Sequence, residues 1–439
     1  MRIITRKVKV KRKISIIGAG ISGIGAAKSA LFMGYKVFLS DTCPKEKLEE
    51  ELKTAGIFGK IDFEAEKNGD EIYNADLIVV SPSVPKFSPI FFEAQKHNVE
   101  VVGELEFAYQ YSKCRWIAIT GSTGKSTTTA LINAIFDRTN IPHYLCGNIG
   151  ISAAEFAVKL PKDGVAICEV SSFQLETIKK FKPDAAILLN LYPNHLDRHS
   201  SLEEYYSMKM RIFENMKNGL IIINGDDENV EKYSKEVANL SQNSVVKFTQ
   251  DLNLTGIDFE NMKLVGNHNK LNAAAAVITA EFFGIDKKII QNAVNGFCGL
   301  EHRMEFCGDV NGVKFYNDSK STTGESMLAA VRGFNEKSVH LIVGGKDKGV
   351  PFGDYGGTIK EYCKNVYAIG EAAKRIGDCW GEIVIQCHTL QNAVKSVLET
   401  AKFGDVVVLS PACASFDQFK NFEDRGEQFK KIVKNAGTA

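Results

Sequence analysis

A phosphate-binding loop is predicted at residues 119–128, which read ITGSTGKSTT. Gly121 and Gly124 let backbone N–H groups turn toward phosphate oxygens. Lys125 would add positive charge at the β- and γ-phosphates, and Ser126 offers a hydroxyl group to Mg²⁺. The first glycine of the usual pattern is absent, but the central GKS is intact, with a strand pattern before it and a helix pattern after it. The stretch therefore predicts a site for ATP.

A second glycine-rich loop, GAGISG at residues 18–23, also follows a strand pattern and begins a helix pattern. Gly18 allows the tight turn, Gly20 lets the backbone approach a pyrophosphate, and Gly23 allows close helix packing. Asp41 ends the next strand, near the place where such folds bind a ribose hydroxyl. The pattern fits NAD, FAD or another diphosphate-linked nucleotide. Together the two loops imply a reaction with two substrates, a diphosphate-linked molecule and ATP.

The strands that follow the GKS loop end in polar side chains. Glu169 lies in CEVSSFQLE and His195 lies in LLNLYPNHLDRH. Residues just past the carboxyl ends of parallel strands gather at one edge of a sheet, where ligands bind. Glu169 offers the hard oxygen ligand that Mg²⁺ prefers, so we expect a metal site there with His195 nearby. Arg303, in EHRMEF, is a candidate phosphate ligand because a guanidinium group forms bidentate contacts.

Short apolar segments alternate with helical patterns almost throughout the chain, as in stacked β–α–β units. We therefore predict an α/β fold of three domains, each with a mostly parallel sheet. The N-terminal domain (1–106) is Rossmann-like, the central P-loop domain (107–298) binds ATP, and the C-terminal domain (299–439) is Rossmann-like. Helices are predicted at STTTALINAIF and at NKLNAAAAVITAEFFG, the second ending at Gly284. Strands are predicted at KISIIG, KVFLSD, DLIVVSP, VEVVGE, RWIAITG, VAICEVS, AAILLN, GLIIINGD, VKFYND, VHLIVGG, NVYAIG, EIVIQ and DVVVLS.

The composition argues against several classes of protein. The 54 basic and 53 acidic residues nearly cancel, so the charge balance does not favour binding of nucleic acid. The longest apolar runs have the length of a strand, and the N-terminus lacks the apolar stretch of a signal peptide, so we expect no membrane insertion. The 10 cysteines form no CxxC pair and no zinc spacing, which indicates reduced thiols. We expect a cytoplasmic monomer.

A series of sequence blocks carries a resemblance to a known family. In chain order they are TGSTGKST, EVSSFQLE, NLYPNHLDRH, YYSMKMRIF, GNHNKLNAAAA, EHRMEF, YNDSKSTT, GGKDKG and SPACASFDQF. The chain resembles the Mur ligase family over essentially its whole length. In that family a Rossmann-like N-terminal domain holds a UDP-sugar, a central domain holds ATP, and a C-terminal domain closes over both. The blocks SSFQLE, NDSKSTT and SPACASFDQF point to the branch that adds D-glutamate to UDP-N-acetylmuramoyl-L-alanine.

The resemblance implies an ATP-dependent acid–D-amino-acid ligase of peptidoglycan precursor synthesis. ATP would phosphorylate the substrate carboxylate, and the amine of D-glutamate would attack the acyl phosphate. No residue is an obvious base for that amine. A related ligase with a different or relaxed amino-acid specificity is the alternative. An NAD-linked oxidoreductase would leave the GKS loop and the DSK block unexplained, and a non-catalytic ATP-binding regulator would tolerate the loss of Glu169 or Lys209, both of which are present.

The resemblance changes the interpretation of Lys209, in YYSMKMRIF. By residue type it is a solvated helix lysine, because an ammonium group has no lone pair for Mg²⁺. In Mur ligases the matching lysine is carbamylated by CO₂, which turns it into an anionic oxygen ligand. The ligands implied for two Mg²⁺ ions, or for Mn²⁺ in their place, are Ser126, Glu169, His195 and carbamylated Lys209.

The same resemblance implies the remaining site residues. Asp318 would meet the ATP ribose and Lys320 the transferring phosphoryl group. The residues expected to act in catalysis are Lys125, His195, Lys209, Arg303 and Lys320. Those expected to bind ATP are Ser122, Thr123, Gly124, Lys125, Ser126, Thr127, Thr128, Asn269, Asn272, Arg303 and Asp318. Those expected to bind the UDP-sugar are Ile21, Ser22, Asp41, Thr42, Ser81, Pro82, Asn148, Ser171, Gln174 and His195. Those expected to bind the amino acid are Thr322, Lys348, Ser415 and Phe422.

The chain departs from the usual family pattern at three positions. Thr123 replaces an asparagine of the P-loop, Asn194 replaces an aspartate before His195, and Thr323 replaces an asparagine after the DSK block. All three positions are expected near substrates. They bear on the choice of amino acid more than on the reaction itself.

Overall fold

The computed structural model describes residues 12–193, 198–235, 237, 240–264, 266–347 and 349–437. The chain divides into two compact units. The first unit runs to Glu260 and adds His268–Asn295, and the second comprises Asn261–Asn267 and the residues from Gly296 onward. In these described ranges the first unit contains two β-sheets and the second contains one.

The first sheet of the first unit is parallel throughout. Its strands are β1 (Lys13–Ile17), β2 (Lys36–Ser40), β3 (Asp62–Glu64), β4 (Leu77–Val80) and β5 (Glu100–Gly103). Its helices are α1 (Ile21–Phe32), α2 (Lys45–Thr54), α3 (Pro89–Lys96) and α4 (Glu104–Tyr111). The strand order is β3-β2-β1-β4-β5, so the direction of winding reverses between β1 and β4. The glycine-rich loop after β1 therefore lies at the switch point of the sheet, where such folds bind ligands.

The second sheet of the first unit is also parallel, in the order β11-β10-β9-β6-β8-β7. Its strands are β6 (Arg115–Thr120), β7 (His143–Gly147), β8 (Val165–Glu169), β9 (Ala185–Leu188), β10 (Leu220–Asn224) and β11 (Ser244–Phe248). The helices that follow in the chain are α5 (Lys125–Phe136), α6 (Ala153–Ala157), α7 (Ser172–Leu175), α8 (Leu202–Met210), α9 (Glu228–Ser234), α10 (Asn267–Phe282) and α11 (Lys287–Gly296). Because β6 pairs with both β8 and β9, the P-loop after β6 lies between the segments that follow those two strands.

The sheet of the second unit has the order β12-β13-β17-β14-β15-β16, and only β12 pairs antiparallel to its neighbour. Its strands are β12 (Glu305–Val310), β13 (Val313–Asn317), β14 (Val339–Gly344), β15 (Cys363–Ile369), β16 (Val384–His388) and β17 (Val406–Leu409). Its helices are α12 (Gly324–Val331), α13 (Phe352–Tyr362), α14 (Ala373–Trp380), α15 (Leu390–Thr400) and α16 (Phe422–Gly437).

The predicted fold class is confirmed, since all three sheets are parallel or mostly parallel and carry helices between their strands. Each predicted strand segment contains a strand, and both predicted helices are present, the second with Phe282 as its last residue. The predicted boundary near 106 falls inside α4, and the one near 298 lies just beyond the division between the two units. The domain boundaries themselves stay predictions.

The two sheets of the first unit share one apolar cluster, and α4 connects them. Leu105 and Phe107 of α4 are buried in a cluster that holds residues of β1 and β2 as well as residues of β6 and β8. Tyr109, on the same helix, makes edge contacts with Trp116 and Phe181 at centroid separations of 6.2 and 5.5 Å. Burial of this continuous apolar surface stabilises the two sheets as one body.

Two buried acidic side chains at the start of α4 hold two segments that connect strands of the second sheet. Glu104 accepts hydrogen bonds from the Ser152 hydroxyl at 2.5 Å and the Ala154 N–H at 2.6 Å, and burial raises the pKa of its carboxyl group. Glu106 accepts the backbone N–H groups of Lys179, Lys180 and Phe181 at 2.9, 2.9 and 3.0 Å. These donors offset the desolvation of Glu104 only in part, since burial still raises its pKa, and they hold the neighbouring segments in place.

Two further findings concern the chain as a whole. In the described residues, no helix is both long and apolar enough to cross a bilayer. All ten cysteines lie in the described residues as free thiols. Burial raises the pKa of Cys363 and Cys413 to about 12, so both side chains are uncharged and behave as small apolar groups.

We expect Glu106→Ala to destabilise the first unit by about 3 kcal/mol, because it leaves three N–H groups without an acceptor, among them the buried N–H of Phe181. Differential scanning calorimetry would measure this as a lower midpoint of the first transition. The matched control is Glu100→Ala, which removes an exposed ion pair with Lys179 at 2.9 Å and should change stability by less than ~1 kcal/mol. Equal effects of the two substitutions would contradict the role given to Glu106.

Candidate active site

The P-loop turns sharply between β6 and α5 through two glycines. Gly121 has φ of +150° and Gly124 has φ of +80°, both in the region where L side chains are strained. A Cβ atom on Gly124 would also lie 2.5 Å from the Oδ1 of Asn272, on α10. Asn272 and its neighbour Asn269 are buried, with their side-chain amides 3.4 Å apart. The two asparagines predicted to bind ATP thus adjoin the loop predicted to bind its phosphates.

One backbone carbonyl in the loop accepts hydrogen bonds from two lysines. The Nζ atoms of Lys125 and Lys209 each lie 2.9 Å from the Gly121 oxygen. Lys209 is 1% exposed, and its ammonium group lies 4.7 Å from the centre of the Tyr205 ring. Burial, and then the neighbouring Lys125 charge, lower the pKa of Lys209 well below its ordinary value. Lys209 is therefore a buried amine beside the P-loop rather than a solvated helix residue.

Ser126, the residue after Lys125, contacts a buried carboxylate. Glu169, the last residue of β8, is 2% exposed and accepts the Ser126 hydroxyl at 2.6 Å. Its other oxygen accepts the side-chain amide of Asn148 at 2.8 Å. The hydroxyl and the carboxylate are hard oxygen donors, the type that Mg²⁺ prefers. Ser126 and Glu169 are therefore residues that could hold a divalent cation, and the metal site stays a prediction.

Several other predicted residues hold the local backbone. Ser171 and Gln174 form a capping box at the start of α7, in which the Gln174 oxygen accepts the Ser171 N–H at 2.9 Å. Thr127 and Thr128 lie in the first turn of α5, and Thr128 is buried. Ser122 is buried and Thr123 is exposed. Residues 122, 123, 127 and 128 thus belong to the P-loop or to the helix after it, whereas Ser171 and Gln174 begin the helix after β8.

The glycine-rich loop of the first sheet is held by Asp41. Its two carboxylate oxygens accept the N–H groups of Ala19 at 2.6 Å and Cys43 at 2.8 Å. Gly18 has φ of +96°, and a Cβ atom there would lie 2.6 Å from the Ser81 hydroxyl. The loops that carry Asp41 and Ser81 thus pack against the glycine-rich turn. The other predicted residues of this region are the exposed Ile21 and Thr42 and the half-buried Ser22 and Pro82.

Arg198 connects the two sheets of the first unit, a contact that the sequence did not predict. Its guanidinium group donates to the carbonyls of Pro82 at 3.4 Å and Ser83 at 3.3 Å, and to the Glu176 carboxylate at 2.9 Å. The guanidinium also lies 4.9 Å from the centre of the Phe173 ring. The Ser81 loop is thereby held to the segment that follows β8.

Asp318, a predicted ATP-binding residue of the second unit, is a buried acid whose pKa is raised. It follows β13, accepts the Ser410 hydroxyl at 2.8 Å and the Met304 N–H at 3.2 Å, and is 5% exposed. Burial raises its pKa from 3.8 to about 6, although these hydrogen bonds and Arg303 act in the opposite direction. A carboxylate kept in a buried position at a cost to stability is a common property of functional sites.

Arg425, on α16, joins two sequence blocks, DSK and SPACASF, that carry predicted residues of this unit. It is fully buried and donates to the Ser319 carbonyl at 2.8 Å, the Ser319 hydroxyl at 2.9 Å and the Cys413 carbonyl at 3.2 Å. Burial lowers its pKa to about 10. The DSK and SPACASF segments are thus held together by one buried cation.

The remaining predictions in the second unit fall around these segments. The Lys320 Nζ lies 5.2 Å from the centre of the Phe422 ring, at the start of α16. Ser415 is buried, Phe422 is half-buried and Thr322 is exposed. Arg303 lies in the turn before β12, where its N–H donates to the Leu300 carbonyl at 3.2 Å.

Some predictions cannot be placed in this way. His195 and Lys348, and the departure at Asn194, lie outside the described residues. Thr323, the third departure, caps α12 by accepting the Ser326 N–H at 3.3 Å.

We expect Asp318→Asn to stabilise the second unit by about 2 kcal/mol near neutral pH, because the amide is not charged. Since folding raises the pKa of Asp318, the wild type loses stability as pH rises from about 4 to about 6, so the difference should vanish below about pH 4. Thermal unfolding across pH would measure it. Asp309→Asn, at an exposed aspartate of the same sheet, is the control and should shift the midpoint little. An unchanged or lower midpoint for Asp318→Asn near pH 7 would contradict the prediction.

Three family models match successive parts of the chain. They are the Mur ligase MurD-like N-terminal domain at residues 12–103, the Mur ligase middle domain at 119–280 and the Mur ligase glutamate ligase domain at 302–413. The first contains the glycine-rich loop, the second the P-loop with Glu169 and Lys209, and the third Asp318.

Similar proteins extend over nearly the whole chain. UDP-N-acetylmuramoylalanine–D-glutamate ligases of Thermoanaerobacter sp. (strain X514) and Aquifex aeolicus (strain VF5) are each 39% identical to it, over 96% of this chain and 98% of theirs. Among solved structures, the UDP-N-acetylmuramate-alanine ligase MurC of Thermotoga maritima has a TM-score of 0.57 at 19% identity, over 97% of this chain and 100% of that one. The MurF ligase of Thermotoga maritima in complex with ADP has the same TM-score at 15% identity, over 82% of this chain and 95% of that one. The chain therefore belongs to the Mur ligase family.

Proposed function

We propose that this protein joins D-glutamate to UDP-N-acetylmuramoyl-L-alanine in peptidoglycan precursor synthesis, with conversion of ATP to ADP and phosphate. The relatives named for this activity align with nearly the whole chain. The observation that carries the proposal is the group of side chains around the P-loop. Lys125 and Lys209 share the Gly121 carbonyl, and Ser126 contacts the buried Glu169.

The chemistry needs ATP because a carboxylate is a poor electrophile. Transfer of the γ-phosphoryl group to a carboxylate oxygen breaks the phosphoanhydride bond and forms an acyl phosphate, which has phosphate as its leaving group. The amine then attacks the carbonyl carbon, the C–N bond forms, and phosphate leaves with its electron pair. Lys125, the first residue of α5, would stabilise the charge of the phosphoryl oxygens together with the N-terminus of that helix.

Ser126 and Glu169 would hold a magnesium ion at this loop. Their oxygen atoms lie 2.6 Å apart in a buried position, and both are ligands of the type that Mg²⁺ selects. When bound, Mg²⁺ neutralises charge on the β- and γ-phosphates. Asn148 donates to the other oxygen of Glu169 and would fix the orientation of this ligand.

We also propose that Lys209 carries a carbamate. A neutral amine, not an ammonium group, attacks CO₂ to form the N–C bond, and the nitrogen then releases a proton. Lys209 is buried, and the Lys125 charge lies close enough to disfavour a second cation. The carbamate would place an anion beside Lys125 and supply oxygen ligands for a second metal ion.

The second unit would supply residues for the amino acid and for ATP. We propose that Ser415, Thr322 and Phe422 bind D-glutamate, and that Asp318 and Lys320 bind ATP. The buried Arg425 supports these assignments, because it holds the DSK and SPACASF segments in one arrangement. The Ser81 loop and the glycine-rich loop of the first unit would bind the UDP-sugar.

The test of the activity is a panel of D- and L-amino acids with UDP-N-acetylmuramoyl-L-alanine, ATP and Mg²⁺, read as phosphate release. We expect release with D-glutamate, and a loss of about 100-fold or more in Lys125→Ala, which removes charge stabilisation of the transferred group. Phosphate release that does not depend on an amino acid would sink the proposal. A preference for another amino acid would change the proposed substrate from D-glutamate to that amino acid, but the proposed ligase reaction would stand.

The test of the carbamate is ¹³C NMR of the protein equilibrated with ¹³C-bicarbonate. We expect a carbamate resonance that Lys209→Ala removes, together with a loss of activity of about 100-fold or more because a metal ligand is lost. The matched control is Lys217→Ala, at an exposed lysine that follows α8, which should keep both the resonance and the activity. A resonance that persists in Lys209→Ala would refute the assignment.

A further inference from the structure

Asn190, which follows β9, contacts the P-loop through both ends of its side-chain amide. The Thr123 N–H donates to its Oδ1 at 2.8 Å, and its Nδ2 donates to the Thr123 carbonyl at 3.1 Å. In addition, the Ser122 N–H donates to the Asn190 backbone carbonyl at 3.0 Å. One residue from a neighbouring strand end thus engages three consecutive peptide groups of the loop.

This pairing restricts the rotation of the peptide groups on both sides of Thr123. A carboxamide provides a donor and an acceptor at once, whereas a carboxylate provides only acceptors. The direction of the loop's N–H groups decides how well they meet phosphate oxygens, and that direction depends on the backbone angles of the loop. Gly124, with φ of +80°, is the next residue and precedes the first residue of α5, so the backbone of Thr123 is directly connected to the start of that helix.

The segment that contains Asn190 holds the loop at a second point. The Ser122 hydroxyl donates to the Tyr192 carbonyl at 2.8 Å and accepts the Tyr192 N–H at 2.9 Å. The Tyr205 hydroxyl lies 3.3 Å from the same Ser122 oxygen. The two contacts, one through a side-chain amide and one through a hydroxyl group, fix residues 122–123 against residues 190–192.

We propose that Asn190 is a positioning residue for the nucleotide: its carboxamide sets the P-loop in the conformation that binds the phosphates of ATP. This rests on the proposed function in so far as ATP is the nucleotide. Asn190 holds Thr123 through two backbone hydrogen bonds of 2.8 and 3.1 Å, whereas the Thr123 hydroxyl adds only a longer contact of 3.4 Å with the same Oδ1, so we expect the loop conformation to depend more on Asn190 than on the Thr123 side chain.

The experiment compares Asn190→Ala and Asn190→Asp with the wild type by calorimetric titration of ATP and by steady-state kinetics. We expect ATP affinity to fall about tenfold in Asn190→Ala, from the loss of two hydrogen bonds. The loss in Asn190→Asp should be larger, because a carboxylate faces the Thr123 carbonyl and repels phosphate. The KM for the UDP-sugar should stay within about twofold in both variants, because the loop after β1 is not altered.

Asn224→Ala is the matched control. Asn224 is the last residue of β10, next to β9, and its side chain contacts the Leu189 carbonyl at 3.0 Å and the Asp226 N–H at 3.0 Å rather than the P-loop. It should lower thermal stability without changing ATP affinity. The inference is overturned if Asn190→Ala binds ATP as the wild type does, or if both KM values rise together in step with lost thermal stability. A wild type that does not bind ATP would instead defeat the proposed function.

Discussion

The Gly121 carbonyl accepts the ammonium groups of both Lys125 and Lys209, and the chemistry proposed for the first unit depends on this shared acceptor. Two like charges at one oxygen repel, and the buried position of Lys209 offers little solvation, so its charged form is disfavoured. The carbonyl can be presented in this way because Gly121 adopts φ of +150°. One glycine carbonyl thus contacts both Lys125, which we propose binds phosphate, and Lys209, the proposed precursor of a metal ligand.

Elsewhere the fold uses backbone groups to hold buried charges, and those charges in turn hold the loops. Glu106 is surrounded by three N–H groups, while Arg425 is surrounded by carbonyls of the DSK and SPACASF segments. A buried ion that loses such partners is strongly unfavourable, so each ion admits one arrangement of the segments around it. The requirement to surround each buried ion with partners therefore fixes the positions of these loops more narrowly than apolar packing alone would.

Among the described residues, the sequence predicted every interior strand and two of the six edge strands, β5 and β16, and it missed the other four edge strands. The four unpredicted strands, β3, β7, β11 and β12, each lie at an end of their sheet. An edge strand is partly exposed and therefore lacks the continuous apolar run that marks an interior strand of a parallel sheet. In β11, for example, only the last of five residues is buried. The missing signal has a physical origin in the exposure of these strands.

The candidate site shows a similar division. The P-loop motif could be identified from the sequence because its residues are close together in the chain and their types and spacing are characteristic. Its members are Gly121, Gly124, Lys125 and Ser126. Arg198 and Arg425 act through carbonyls far away in the chain, and no local pattern marks such contacts. Lys209 was recognised only through the family resemblance, because its burial beneath the P-loop is a property of the folded protein.

The substitutions at Thr123 and Thr323, relative to the usual family pattern, do not require a change in backbone conformation. Asn190 holds Thr123 mainly through the N–H and carbonyl groups of Thr123, which any residue except proline provides, and the Thr123 hydroxyl adds a contact of 3.4 Å. Thr323 caps α12 with its hydroxyl group, a role that the asparagine usual in the family fills at least as well. Neither exchange therefore requires a different loop or helix. If these two exchanges change which amino acid is bound, the change must come from direct contacts of the exposed Thr123 and Thr323 side chains.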